Sequence, residues 1–191
     1  EASMAGRGWE SCMTIGDSCG WGFVRNNPNW KTVPQLLQNL VHAAAGEGNY
    51  LLNVGPRADG SIRSEERVRL AAMGQWMRVN GEAIYGSQRC ELPGGMIGEW
   101  TRRGNTGYFH IFRWPGSEAV VPLVGTKAAS AVLLSSGEKV CLRQEHNGRL
   151  VLSGMPAKAP HPYVNVVKIR FAGQPRPLKE PDSSKWLAGD A

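Results

Sequence analysis

The chain has 191 residues, 41% of them hydrophobic and 20% charged, the make-up of one large globular domain or two small ones. Its longest apolar runs are far too short to span a bilayer, and no leader pattern opens it, so no membrane partner is expected. The net charge of +6 comes from 22 basic against 16 acidic residues, but the basic side chains are scattered with no aromatic-interleaved cluster, which sets nucleic acid aside as a partner.

The first residue is Glu1 rather than Met, so the chain reads as a fragment or a processed product. Two regimes meet near residue 88. In the first, Met13 to Ile15 forms a short apolar stretch, followed by a Gly-rich loop from Gly16 to Asn29. Val33, Leu36, Leu37, Leu40, Val41 and Ala44 then recur at helical spacing, with Thr32 placed to cap and Gly46 and Gly48 to stop the helix. Asn49 to Val54 is a two-sided apolar strand, and it breaks into the turn Gly55 to Ser61. Ser64 is set to cap a second helix whose Val68, Ala72, Trp76 and Val79 share a face, and Gly81 falls where a helix end favours a left-handed residue. The order strand, helix, strand, helix predicts parallel strands joined by crossover helices. Two strands cannot complete such a sheet, so the missing ones are expected upstream of Glu1.

Beyond residue 88, short segments rich in Val, Ile, Leu, Tyr and Phe alternate with turn signals at Arg103-Gly104-Asn105, Pro115-Gly116, Ser136-Gly137 and Asn147-Gly148. This meander predicts an antiparallel β-sandwich of about seven strands over residues 88–172. Residues 173–191, with Pro175, Pro177 and Pro181, read as an extended, loosely held tail. Cys12, Cys19, Cys90 and Cys141 include no C-x-x-C pair and no His at zinc spacing. Buried free thiols are the expectation, with no metal site and no cofactor.

Four motifs in order carry a resemblance: Trp9-Glu10-Ser11-Cys12-Met13-Thr14-Ile15, Gly20-Trp21-Gly22-Phe23, Gly48 to Gly60, and Asn80 to Gly86. Together they resemble the C-terminal third of α-L-fucosidases, a family of retaining glycoside hydrolases, and Thr101 to Gly116 resembles the start of that family's C-terminal β-sandwich. The resemblance implies a fold class of α/β plus all-β. Residues 1–87 would be the last units of a catalytic (β/α)8-like barrel, and the upstream barrel portion a missing partner. It implies a fucosylated glycan as substrate and a secreted, periplasmic or lysosomal setting. It leaves the oligomeric state open.

The turn after Asn49 to Val54 then becomes a loop at the C-terminal end of a barrel strand, where such barrels build their active sites. Asp59 reads as a turn-forming residue rather than a catalytic one. Trp21, in the family's W-G-[YF] motif, is expected to line the fucose pocket and offer an apolar wall to the C6 methyl. Cys19-Gly20 stands where the family shows a single small residue, so the loop length departs from the pattern. Retention requires two carboxyl groups about 5 Å apart. No W-[NS]-D motif is present, so the nucleophile Asp is expected upstream. Glu1, in the loop before the first strand, is the favoured acid/base, with Glu10 as the alternative or a supporting carboxylate. Against the enzyme stand two other readings: a non-catalytic glycan-binding module stacking sugars on Trp100, Trp114, Tyr108 and Tyr163, or a purely structural one. Core packing is the expected role of those four rings.

Overall fold

The computed structural model describes residues 8–17 and 20–178. Glu1, Cys19 and the stretch after Leu178 lie outside them. Strand β1 (Glu10–Thr14), helix α1 (Val33–Ala45), strand β2 (Asn49–Asn53) and helix α2 (Ser64–Asn80) follow in the expected order. The strands pair parallel, from Glu10 opposite Asn49 to Thr14 opposite Asn53. Thr32 caps α1 with a reciprocal pair of bonds, its amide donating to Gln35 Oε1 at 2.8 Å and its hydroxyl accepting from the Gln35 amide at 3.4 Å. Leu36, Leu37 and Val41 are fully buried on the inner face. Each such side chain is worth about 1.5–3 kcal/mol of apolar burial.

Helix α1 stops at Ala45 with Gly46 as its cap, as the spacing implies, while three expectations for α2 are corrected. At the end of α1 the left-handed residue is Glu47, with φ 58°, and neither flanking glycine adopts that conformation. Gly46 and Gly48 are small for another reason: a Cβ there would sit 2.7 and 2.3 Å from the ring of Trp9, which lies flat across them. Helix α2 begins one residue earlier than Ser64 implied, with Arg63 as its cap, and Gly81 is right-handed at φ −59° because the chain runs on into a 3₁₀ turn, Gly81–Ala83. The buried face of α2 is Glu66, Met73, Trp76 and Asn80, while Val68 and Val79 are exposed. The helix is rotated so that Glu66 reaches the turn after β2 and the Trp76 indole donates to Val164 O at 2.8 Å.

Eight strands follow: β3 (Gln88–Arg89), β4 (Gly98–Arg103), β5 (Thr106–Ile111), β6 (Glu118–Val121), β7 (Ala128–Leu133), β8 (Lys139–Gln144), β9 (Leu150–Ser153) and β10 (Asn165–Phe171). All their pairings are antiparallel, in the order β3-β4-β5-β10-β7-β8-β9-β6. The layers of the expected sandwich are therefore one curled sheet. Strand β8 makes the corner: Lys139 and Val140 pair with β7, and Cys141 to Gln144 pair with β9. Trp100, Phe109, Val121, Leu150, Leu152 and Ile169, from both ends of the sheet, pack into one core.

The outer face of β5 and β10 is covered as well. Tyr108, Val164 and Val166 join Ile15, Leu36, Leu37, Val41, Met73 and Trp76 in a second cluster, so residues on either side of position 88 share a core. That explains why every residue of β5 is buried although its sequence alternates. At its heart the Thr101 hydroxyl donates to Ala83 O at 2.7 Å and accepts from His110 Nε2 at 2.9 Å. Two further expectations change. The segment after β10 is not loose through Leu178: Gly125 N donates to Arg176 O at 3.0 Å, and Leu178 N to Leu123 O at 2.7 Å. Among the described cysteines only Cys90 is buried, and burial pushes its thiol up to about 11. Cys12 and Cys141 are exposed, since each lies on a strand face that no other described element covers.

Candidate active site

The C-terminal ends of β1 and β2 carry two loops that touch. After β1, Ile15 N donates to Asn53 O at 3.2 Å and Lys31 N to Ile15 O at 3.0 Å, so both ends of the Gly-rich loop are pinned at the strand ends. After β2 the chain turns tightly, with Arg57 N donating to Ser61 O and Gly60 N to Arg57 O, both at 2.9 Å. Gly60 takes φ +81°, which a side chain would strain. Gly55 is required by proximity: a Cβ there would lie 2.7 Å from Gly22 O, in the other loop.

Trp21 sits at this junction. The Asn53 amide donates to Trp21 O at 2.6 Å, and the indole is 59% exposed, beside a Phe23 that is 41% exposed. Large apolar rings standing in water on a polar loop mark a surface built to be covered. The shallow cavity beneath them is lined by Thr14, Trp30, Asn53, Arg63 and Glu66. Aromatic faces beside hydroxyl and amide groups suit a sugar, with one apolar and several hydroxylated edges.

The carboxylates near these loops have partners, beginning with Asp17, which pairs with the Lys31 ammonium at 2.5 Å. Asp59 accepts from Ser61 N at 2.9 Å, and the Ser61 hydroxyl and amide hold its carboxyl below the usual range, as a turn former requires. Glu66 is buried, its Oε1 accepting from Gly55 N at 2.8 Å and its Oε2 from Arg63 N at 3.3 Å. Glu10 opens β1 at the far end, exposed, accepting from the Cys12 thiol at 3.3 Å. Four residue steps of strand put it about 13 Å from Thr14. The described residues thus bring Trp21 to the site and keep Glu10 away from it. Trp100 and Tyr108 are buried, and Trp114 and Tyr163 are partly buried against the two cores, so those rings are packing rather than a sugar platform.

Arg63 and Glu66 escaped the reading of the sequence. One signal was available: Glu66 follows Arg63 at capping-box spacing, although arginine is not a capping residue.

Loops gathered at the carboxyl ends of parallel strands, with exposed aromatics over polar groups, are the arrangement from which β/α barrels build their active sites. Residues 1–82 match the family model for alpha-L-fucosidase. The chain is 32% identical over 174 residues to an alpha-L-fucosidase of Dictyostelium discoideum, a match covering 84% of this chain and 38% of the relative. It is 44% identical over 79 residues to the human plasma alpha-L-fucosidase, covering 40% and 17% of the two chains. A Bacteroides thetaiotaomicron alpha-L-fucosidase, solved as a trapped covalent intermediate with 2-fluoro-fucosyl fluoride, superposes with a TM-score of 0.79 at 29% identity, over 87% of this chain and 38% of that one. Over most of its length, then, the chain is related to the C-terminal part of the α-L-fucosidase family, and it spans about two fifths of the length of such relatives.

Proposed function

We propose that the whole protein to which this chain belongs hydrolyses terminal α-L-fucosyl linkages of glycoconjugates with retention of configuration. In this reading residues 1–87 supply the last units of a (β/α)8-like barrel and residues 88–172 a supporting β domain. One observation carries it: two parallel strands whose outer edges have no partner among the described residues deliver an exposed Trp21 to their carboxyl ends. Strands of that kind need neighbours on both sides. An upstream barrel supplies them and closes the cavity over the sugar.

The chemistry follows a double displacement. An Asp upstream of this chain attacks the anomeric carbon while an acid protonates the departing oxygen, and the same residue then deprotonates the water that releases fucose. The covalent intermediate trapped in the Bacteroides relative supports such a path. Trp21 packs against the sugar's C6 methyl, where a hydroxymethyl group would lose its hydration without a partner. Glu1 is the favoured acid/base. Glu10, a strand's length from the Trp21 loop, is assigned a supporting role at the base of β1. The test is hydrolysis of an aryl α-L-fucoside by the whole protein, followed by NMR. Fucose released first as the α anomer is expected; no hydrolysis, or β anomer first, refutes the proposal.

A further inference from the structure

We infer that Arg63 and Glu66 are positioning residues that lock the Trp21 loop and the Gly55 turn together in the orientation that receives substrate. The inference rests on the fucoside reading of Trp21 given above.

Each residue reaches one loop from the start of α2. The Arg63 side chain is only 12% exposed, and its guanidinium lies 5.3 Å from the centre of the Phe23 ring and 5.0 Å from that of Trp30. From there Nη1 donates to Val24 O at 2.6 Å and Nη2 to Arg25 O at 3.5 Å. The plane of the guanidinium is thus used twice, stacked on aromatic faces and forked toward consecutive carbonyls. Its acidic neighbour Glu65 stands off at 3.8 Å, so the cation is spent mainly on backbone oxygens of the loop. Glu66 does the converse. Its buried carboxylate takes the amide of Gly55, the second residue beyond the end of β2, and the amide of Arg63 itself. Burying a carboxylate is costly unless donors meet it, and here the donors are the turn and the helix start.

The two loops then meet backbone to backbone, Gly55 against Gly22, one residue from Trp21. With the Asn53 bond to Trp21 O, the Trp21 loop is held from three directions. A cap serving only the helix would satisfy α2 amides and stop there. This one spends both of its charged groups on the loops that present Trp21.

The proposal is tested in the intact enzyme with Arg63→Met, which keeps an aliphatic stem but removes the guanidinium, Glu66→Gln, Trp21→Ala and the Arg63→Met/Trp21→Ala double variant. Hydrogen exchange of amides 20–25 and the kinetics of an aryl fucoside are read together. Arg63→Met should speed exchange in that segment and raise KM about tenfold with kcat changed less than about threefold, because loss of orientation costs binding first. Added to Trp21→Ala, it should change KM less than about twofold, since residues acting through one group are not additive. Glu66→Gln should do the same more weakly, and Arg63→Lys should restore less than half of the loss. Unchanged exchange in Arg63→Met overturns the inference, as does full additivity with Trp21→Ala. Faster exchange with an unmoved KM in both single variants supports the clamp and refutes the sugar-facing reading of Trp21 instead.

Discussion

Thr101→Val isolates the polar node at the junction of the two cores. The substitution keeps the shape of a fully buried side chain and removes one hydroxyl that serves two partners, Ala83 O at 2.7 Å and His110 Nε2 at 2.9 Å. Because the hydroxyl donates to a carbonyl, it must accept from the ring, which assigns His110 its proton on Nε2. Valine therefore leaves a carbonyl and an N–H without partners in a dry site. Each costs about 1–3 kcal/mol, so the sum is about 2–6 kcal/mol, against less than about 1 for the same change on a surface. Thr101→Ser keeps the hydroxyl and loses only a methyl, about 1 kcal/mol. In the intact protein the local quantity is read from native-state hydrogen exchange of β4 and β5, whose amides report the opening of this unit. A Thr101→Val loss below about 0.5 kcal/mol, or no larger than that of Thr101→Ser, would refute the argument that the node is satisfied through the hydroxyl.

Burial with no compensating charge lowers the His110 imidazole to about 3. The unfolded chain takes up that proton near pH 6.5 while the folded one refuses it. Stability should thus fall by up to about 1.4 kcal/mol per pH unit between roughly pH 6.5 and 3, and His110→Leu should flatten the slope between 6.5 and 5 in denaturant titrations. Trp21→Ala in the whole enzyme should lower kcat/KM for fucosides by one to two orders of magnitude, roughly 1.4–3 kcal/mol, and wild-type kinetics would return the ring to packing. Glu1→Gln should cripple substrates with poor leaving groups far more than activated aryl fucosides, with azide partly rescuing the latter, whereas Glu10→Gln should slow both alike without rescue; swapped phenotypes reverse the assignment. The 191-residue chain alone should show no turnover of a chromogenic fucoside above a heat-killed control, and any such turnover contradicts the need for upstream strands.

Much of this protein was decided locally and so was legible along the chain. The Thr32 cap, the apolar spacing of α1, the two-sided strand from Asn49 and the hairpin turns at Gly104, Gly137 and Gly148 each depend on residues a few positions apart. The same locality made the Asp59 turn and the exposed Trp21 motif readable. Tertiary structure decided the rest. Apolar spacing alone did not orient α2, because Trp76 and Glu66 are drawn to partners 88 and 11 residues away. Nor did strand spacing tell two stacked layers from one sheet that bends at β8, since a corner is made by pairing and not by composition. In sequence Arg63 is one of the scattered basic residues; it became a loop clamp only when folding laid Val24 and Trp30 beside it. Side-chain periodicity reports which residues avoid water, whereas a site is made by which backbone groups folding brings within hydrogen-bond reach, and that reach is set across the chain rather than along it.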